Sequence, residues 1–328
     1  MTTAKTSAVT MTVPRWHSGY AGISRRLRVL VVGFSVLLVL MACADQESSN
    51  PTPSGSDESI TVASFDFSEN WILAEIYAQA MRRAGIPVEM LSNLGTREVV
   101  GPALEQGQVD FVVDYLGSAL EAVDVGNPAT HGSLEYARRE LQKALVGTGV
   151  VVLGAAAAQD QNGFAVTRET AAGLSSRTIS ALSPTASSMV LGAPPECPDR
   201  PYCLIGLRSV YGLRFAHMEE MDTRAATATA LESGEIDVGL LETTDAQLAG
   251  GQFVLLRDDK GLQPRENIVP LVRQQVIDEY GQDFADVIDS VTSRLTTADL
   301  IGLNRRVEIA GMSPSDVASD WLDSSLGS

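Results

Sequence analysis

The sequence predicts an α/β protein whose folded body consists of two lobes of like architecture. Strand-like apolar runs alternate with helix-like periodic segments, which is typical of sheets covered by helices on both faces. The phrase A-L-E-x-G-x-[VI]-D occurs twice, from Ala103 and from Ala230, at an offset of 127 residues. Each copy describes the end of a helix, a glycine that terminates it and a buried strand that follows. Two such copies indicate two similar lobes, although the same phrase can also arise twice by chance.

The first lobe is predicted from the segments that follow residue 58. In order they are a strand over Ile60–Ala63, a helix ended by Gly85, a strand over Val88–Leu91, a turn over Asn93–Thr96, a strand over Val109–Val113, a helix over Ser133–Leu145 and a strand over Val150–Leu153. Ser68 is the expected N-cap of the first helix and Thr96 that of the second. Pro102 should kink or split that second helix, because it lacks the N–H that a helix interior needs.

The second lobe is predicted to begin near Asn162-Gly163 and to end near Leu255-Leu256-Arg257. The chain then returns through Asn267–Val272, and helices follow caps at Thr296 or Thr297 and at Ser313. The expected boundaries are therefore 59–162 with 257–328 for lobe 1 and 163–256 for lobe 2. One strand that enters the second lobe and one that leaves it predict a two-stranded hinge.

Composition and charge exclude several classes of function. The chain has 328 residues, of which 45% are hydrophobic and 20% charged, as in globular proteins long enough for two domains. Its formal charge is −17, so nucleic acid, which attracts basic patches, is not an expected partner. Three His and three Cys leave little material for zinc or histidine-assisted catalysis, and no metal or cofactor is expected.

Residues 1–42 have the features of an export signal. They contain five basic and no acidic residues, and the apolar run Val29–Leu40 follows the basic part directly. About 12 helical residues rise roughly 18 Å, too short for a hydrocarbon core of roughly 30 Å, which favours a signal peptide over a buried transmembrane anchor. Leu40-Met41-Ala42-Cys43 resembles the bacterial lipobox, which would make Cys43 the lipidated N-terminus. Polar residues 43–58 then predict a flexible tether that holds the body at the extracytoplasmic face of the cell membrane.

Cys197 and Cys203 remain after such cleavage, six positions apart in a proline-rich segment. Outside the cytoplasm two nearby cysteines most simply form a disulfide, with free thiols and then a metal as the alternatives.

Several strings, in their order along the chain, resemble the osmoprotectant (glycine betaine/carnitine/choline) substrate-binding lipoproteins of ABC transporters. The strings are ASFDFSEN (63–70), NLGTR (93–97), Ala103 through Ser118, PPEC (194–197), Tyr211-Gly212-Leu213, Gly234–Val238 and Thr244-Asp245. Together they cover about residues 60–325. The resemblance implies a two-lobed periplasmic-binding-protein (type II) fold, a small quaternary ammonium solute as ligand and an ABC transporter permease as partner.

The resemblance also implies an aromatic cage for the ligand. A trimethylammonium group has no N–H donor, and ring faces hold it through the ring quadrupole. The residues that fall on family site positions are Tyr115, Phe164 and Tyr211 for the cage, and Ser118, Asn70 and Asp114 for polar contacts. Two positions depart from the family. Phe65 stands where a lysine is frequent, and Ala228 replaces a tyrosine, so Phe65 is a candidate for the missing cage wall.

Three other functions stay open from the sequence alone. An exported hydrolase would need a nucleophile and a base, but no G-x-S-x-G string occurs, and His131 and His217 have the features of surface or packing residues. A surface lipoprotein that senses solutes for a signalling partner is the second, and a receptor for a different small solute is the third. The prediction is a non-catalytic receptor.

Overall fold

The computed structural model describes residues 59–124 and 126–327, apart from the side chain of residue 128. The predicted signal peptide (1–42), the lipidation site Cys43 and the tether (43–58) lie outside the described residues. Within the described part of the chain, no helix is long and apolar enough to cross a membrane.

The body contains two five-stranded mixed sheets with the same topology. The strands are β1 (Ile60–Phe65), β2 (Val88–Gly95), β3 (Phe111–Tyr115), β4 (Val150–Val152), β5 (Asn162–Thr167), β6 (Val190–Ala193), β7 (His217–Glu220), β8 (Val238–Glu242), β9 (Phe253–Leu256) and β10 (Ile268–Arg273). The strand order is β2-β1-β3-β10-β4 in the first sheet and β7-β6-β8-β5-β9 in the second. In both sheets the first three strands are parallel, and each later strand is antiparallel to its neighbour.

The repeated phrase marks equivalent places in the two sheets. β3 and β8 are each five residues long, and their first residues are 127 positions apart. Asp110 accepts a hydrogen bond from the backbone N–H of Thr61 at 2.9 Å, and Asp237 accepts one from Val190 at 2.8 Å. In each sheet this aspartate therefore ties the start of the third strand to its parallel neighbour, which explains the repetition structurally.

Helices cover the sheets on the flanks. They are α1 (Ser68–Arg83), α2 (Arg97–Glu105), α3 (Leu116–Val123), α4 (Leu134–Ala144), α5 (Arg168–Gly173), α6 (Gly206–Ser209), α7 (Arg224–Ser233), α8 (Gln274–Thr292), α9 (Thr297–Asn304) and α10 (Pro314–Leu326). The apolar side chains of α1, among them Ile72 and Ile76, are buried in the core of the first sheet. Tyr77 lies in the same core, where its hydroxyl bonds that of Thr292 on α8 at 2.9 Å.

Most element predictions are confirmed, and three differ. Ser68 is the first helical residue of α1 rather than its cap, because Phe67 holds the N-cap position and the Ser68 hydroxyl donates to Glu308 instead. The predicted turn from Asn93 belongs largely to β2, which continues to Gly95 while the Asn93 N–H donates to the Ser64 hydroxyl at 2.8 Å. α2 begins after Thr96 as predicted, but it runs on through Pro102 to Glu105.

Two antiparallel segments connect the sheets. Gln159 and Asn267 form an isolated bridge, and the N–H of Asp160 donates to the carbonyl of Glu266 at 3.0 Å. These are the segments for which the sequence predicts a two-stranded hinge, and their role as a hinge stays a prediction. After β10 the chain stays with the first sheet, and Thr296 and Ser313 cap α9 and α10 as expected.

Candidate ligand-binding cleft

A cleft of about 880 Å³ lies where the carboxyl ends of β3 and β8 meet the amino ends of α1, α2 and α7. The connecting segments near residues 160 and 266 and the loop 194–203 complete its walls. The charged residues of the lining are the acidic Glu69, Glu98, Glu121, Asp160, Glu196, Glu242, Asp245, Glu266 and Glu308 and the basic Arg97, Arg200 and Arg224. The lining thus has nine acidic and three basic residues, and this imbalance favours cations in the cleft.

Aromatic rings form one part of the wall. The Phe67 and Tyr115 rings have centroids 5.9 Å apart, and both residues line the cleft. Phe67 is 43% exposed, and Phe65 stacks behind it with a centroid distance of 6.0 Å. Tyr202, on the loop after β6, is a further ring in the lining and lies 5.8 Å from the His131 ring.

An ion pair between half-buried Arg97 and buried Asp114 packs against this aromatic wall. Arg97 donates to both carboxylate oxygens of Asp114, from Nε at 3.1 Å and from a terminal nitrogen at 2.7 Å. The same guanidinium lies 5.2 Å from the centroid of the Phe65 ring. Asp114 is therefore compensated by Arg97, and Arg97 in turn covers Phe65.

The floor of the cleft carries buried carboxyl groups. Glu69, in the first turn of α1, accepts hydrogen bonds from the Tyr115 hydroxyl at 2.8 Å and from Asn304 Nδ2 at 2.7 Å. Asn304 also donates to the backbone carbonyl of Thr244, at 2.9 Å. Burial raises the pKa of Glu69, and burial together with the nearby charge of Glu69 raises the pKa of Asp160 well above its ordinary value.

Two more carboxyl groups titrate near neutrality. Ser118 donates to Glu266 from its backbone N–H at 2.9 Å and from its hydroxyl at 2.8 Å. Burial nevertheless raises the pKa of Glu266 to about 7 and that of Asp245 to about 6. Arg224, at the start of α7, donates to Glu242, at the end of β8, at 2.7 Å. This acid of the cleft is therefore paired with a cation of the protein.

Residues 58–324 match the family described as the substrate binding domain of the ABC-type glycine betaine transport system. The chain belongs to this family. A glycine-betaine-binding protein of Pseudomonas aeruginosa is 30% identical over 277 residues, which are 81% of this chain and 87% of that protein. The ergothioneine transport permease/ergothioneine binding protein of Helicobacter pylori is 26% identical over 81% of this chain, and the match spans only 48% of that longer protein.

The fold agrees with solved structures. A crystal structure of a glycine betaine/carnitine/choline ABC transporter protein superimposes with a TM-score of 0.75, at 21% identity, over 81% of this chain and 98% of that one. The predicted family and the periplasmic-binding-protein fold are thereby confirmed. The protein is an extracytoplasmic substrate-binding protein of an ABC importer and not an enzyme, since the family binds solutes rather than transforming them.

The substrate-binding protein brings only some of the predicted site residues into the cleft. Tyr115 and Ser118 line it, whereas Phe65 and Asp114 lie behind the lining. Asn70 is buried at the start of α1, where its side chain accepts from the Phe65 N–H and donates to the Val113 carbonyl, each at 2.8 Å. Asn70 thus joins α1 to β1 and β3.

The two aromatic candidates of the second lobe lie outside the lining. Phe164 sits in β5 between two neighbouring strands and packs in the core of the second sheet. Tyr211 is also buried there, and its hydroxyl donates to Asp258 and accepts from the N–H of Lys260. Ala228 is buried in α7.

The structure joins Cys197 and Cys203 in a disulfide, and both residues line the cleft. The short ring that they close holds Arg200 and Tyr202 at the cleft wall. Among the described residues, no group of three or more His, Cys, Asp or Glu side chains is placed to hold a metal ion.

Several lining residues were not predicted from the sequence. Phe67 had an indication, since it belongs to the ASFDFSEN string and immediately precedes a helix at the crevice edge. Glu69 and Asp160 resemble ordinary surface acids in the sequence. Asn304 comes from a C-terminal helix whose place in the cleft no local pattern indicates.

Proposed function

We propose that the cleft binds a quaternary ammonium solute, such as glycine betaine or choline, and delivers it to an ABC transporter permease. The observation that carries this proposal is the pair of rings from Phe67 and Tyr115 beside the buried carboxyl group of Glu69. A trimethylammonium group is attracted to ring faces by about 0.5–2 kcal/mol per ring. A neighbouring ionised carboxylate adds Coulomb attraction that a solute without a positively charged group would not gain.

The proposed cage consists of Phe67 and Tyr115, with Phe65 as the layer behind them. Tyr202 is its fourth candidate, because it brings a ring to the cleft from the disulfide loop. Phe164 and Tyr211 are left out of the proposed cage, since both pack in the core of the second sheet.

Closure of the two lobes is the proposed mechanism. Lobe 1 (59–162 and 257–328) and lobe 2 (163–256) would rotate about the segments that meet at Gln159 and Asn267. A volume of about 880 Å³ suits a drug-sized ligand, so a small osmoprotectant requires a narrower, closed form. Small-angle scattering curves that superimpose with and without saturating ligand would contradict closure.

We also propose that Cys43 carries a lipid that anchors the protein, with residues 43–58 as the tether. Incorporation of radiolabelled palmitate that is lost in Cys43→Ala would support the anchor. Labelling that persists in Cys43→Ala would place the lipid elsewhere.

The test of the ligand assignment is a thermal-shift screen with glycine betaine, choline, carnitine, polyamines and amino acids. A ligand at about 100 times its dissociation constant adds roughly 2.7 kcal/mol of stability, which gives a readable shift. We expect a shift with quaternary compounds that disappears in Phe67→Ala. Because Phe67 is 43% exposed, this change should leave the fold intact. Tyr136→Ala, which removes an exposed ring on α4 outside the cleft, is the matched control.

A solute without a quaternary ammonium group is the alternative. A shift with such a solute alone would keep the receptor and remove the osmoprotectant assignment. The two relatives described above differ in ligand by name, glycine betaine for one and ergothioneine for the other, so the family by itself does not decide between small solutes.

A further inference from the structure

A buried side chain joins the two sheets in addition to the segments that meet at Gln159 and Asn267. This side chain is Asn304, at the end of α9. Its Nδ2 donates to Glu69 Oε2 at 2.7 Å, on α1, and to the Thr244 carbonyl at 2.9 Å, just after β8 of the second sheet. One amide group thus bonds both halves of the body.

The orientation of the amide follows from its partners. A backbone carbonyl can only accept, so the Asn304 group that faces Thr244 has to be the NH2 group. Its two hydrogens serve one acceptor on each side, while Asn304 Oδ1 receives no hydrogen bond from the described residues. Among the described residues, the polar contribution of this side chain therefore consists of the two donations.

Water has little access to this junction. The exposed fraction is 5% for Glu69, 4% for Asn304 and 2% for Thr244. The Thr244 hydroxyl adds to the junction, since it hydrogen-bonds the carboxyl groups of Glu69 and Asp160. A buried hydrogen bond is not readily replaced by water, so loss of the Asn304 amide would take a partner from both Glu69 and the Thr244 carbonyl.

α9 is anchored to the first sheet. Its side chains Leu300 and Leu303 are buried in the core of that sheet. Four residues after Asn304, Glu308 accepts a hydrogen bond from the Ser68 hydroxyl at the start of α1. The Asn304 amide therefore moves with the first sheet rather than with the second.

Thr244 follows β8 of the second sheet by two residues, and it lies beside the connecting segments. Its neighbour Thr243 donates its backbone N–H to the Gln161 carbonyl at 2.8 Å. The N–H of Gln161 in turn donates to the Thr243 hydroxyl oxygen at 2.9 Å. A rotation about the connecting segments would displace Thr244 less than the rim of the cleft. The junction can therefore persist while the cleft opens and closes.

We propose that Asn304 is a positioning residue, which bonds Glu69 and the Thr244 carbonyl so that the two lobes rotate about one axis. The connecting segments alone would also allow the lobes to twist and slide against each other. This role rests on the lobe closure of the proposed function and adds the residue that guides it. Glu69 is also the carboxyl group proposed to lie beside the ligand, so Asn304 links the ligand-binding wall of one lobe to the other lobe.

The experiment measures the distance between the lobes in the purified protein. Arg139 on α4 and Glu232 on α7 are exposed residues of opposite lobes. Each is replaced by p-acetylphenylalanine, which takes a spin label without involving the cysteines. Double electron–electron resonance then gives the distribution of distances, without ligand and with excess glycine betaine. The variants are Asn304→Ala and Asn304→Ser, since a serine hydroxyl has one donor and can serve only one lobe.

The matched control is Asn70→Ala. Asn70 is also a buried asparagine with two hydrogen bonds, each of 2.8 Å, but its partners Phe65 and Val113 both belong to the first sheet. Both alanine substitutions remove a buried amide and should lower the free energy of unfolding, which urea unfolding measures. Only the loss of Asn304 should change how the lobes sit relative to each other.

In the ligand-free protein we expect both Asn304 variants to widen the distance distribution, with about a fivefold rise in the population outside the parent's range, as for the loss of one hydrogen bond. Asn70→Ala should keep the parent's distribution. If Asn304→Ala does not fold, Asn304→Ser decides the question.

An Asn304 variant that is folded and keeps the parent's distribution overturns the inference, whatever its stability. Equal widening in Asn70→Ala also overturns it, because the effect would then follow from lost stability alone. Glycine betaine that shortens the distance in the parent supports closure. A parent that does not respond to glycine betaine, beside widened Asn304 variants, keeps the junction and counts against the proposed ligand.

Discussion

Removal of Arg97 from its ion pair with Asp114 should destabilise the folded body more than removal of an exposed arginine. The Asp114 side chain is 5% exposed and the Arg97 side chain 28%, and two nitrogens of Arg97 contact the carboxylate. Arg97→Ala would leave a buried carboxylate without its cation, a change that typically costs about 3–5 kcal/mol. The Tyr115 N–H still donates to Asp114 at 2.6 Å, so we expect the lower end, about 3 kcal/mol.

Urea unfolding followed by tryptophan fluorescence measures this difference in the free energy of unfolding. The matched control is Arg83→Ala, because Arg83 contacts Asp323 at the same 2.7 Å with side chains 36% and 59% exposed. An exposed pair of this kind contributes about 0–1 kcal/mol. Adding Asp114→Asn to Arg97→Ala should restore part of the lost stability, since the uncompensated charge is then gone.

Equal costs for Arg97→Ala and Arg83→Ala would refute this reasoning. They would mean that Asp114 is hydrated in solution, and that burial in this part of the cleft wall does not raise the energy of an unpaired carboxylate.

Three further outcomes are expected. Calorimetric affinity for a cationic ligand should rise from about pH 5 to pH 7, because binding favours the ionised forms of Asp245 and Glu266, whose pKa values are raised to about 6 and 7; a flat profile would contradict this. The free energy of unfolding of the ligand-free protein should fall as the pH rises towards these pKa values, because carboxyl groups with raised pKa hold more protons in the folded than in the unfolded state. A free energy of unfolding that rises with pH over this range would contradict the reasoning. Replacing Cys197 and Cys203 by serine should lower the free energy of unfolding by about 2 kcal/mol, as for a short closed loop, and an unchanged urea midpoint would show that the loop is ordered without the bond.

The repeated phrase explains why so much of the fold was predictable. It contains the glycine that ends a helix and the aspartate that starts a strand, and these local features recur as Gly107 with Asp110 and as Gly234 with Asp237. Both glycines have positive φ, near +72° and +74°, which side chains rarely tolerate. A local requirement of this kind is visible in the sequence, and its spacing predicted two lobes of like architecture.

The site was less predictable, because it depends on the direction in which each side chain points and on which distant elements meet, and local sequence patterns do not determine either. Phe164 and Phe67 are both aromatic residues near element ends, but Phe164 is an interior strand residue paired on both sides and Phe67 precedes a helix that opens onto the cleft. Tyr211 belongs to a string that resembles the family, but it packs in the core of the second sheet, where its hydroxyl donates to Asp258. Asn304 reaches the cleft from a helix more than 200 positions after Glu69, its partner, and only tertiary packing decides that contact.

The most direct test of the ligand site is a crystal structure of the protein with bound choline or glycine betaine. We expect the quaternary nitrogen within about 6 Å of the ring centroids of Phe67 and Tyr115, with the acids of the cleft floor around it. A ligand that binds away from both rings, or outside the cleft between the two sheets, would contradict the proposed site.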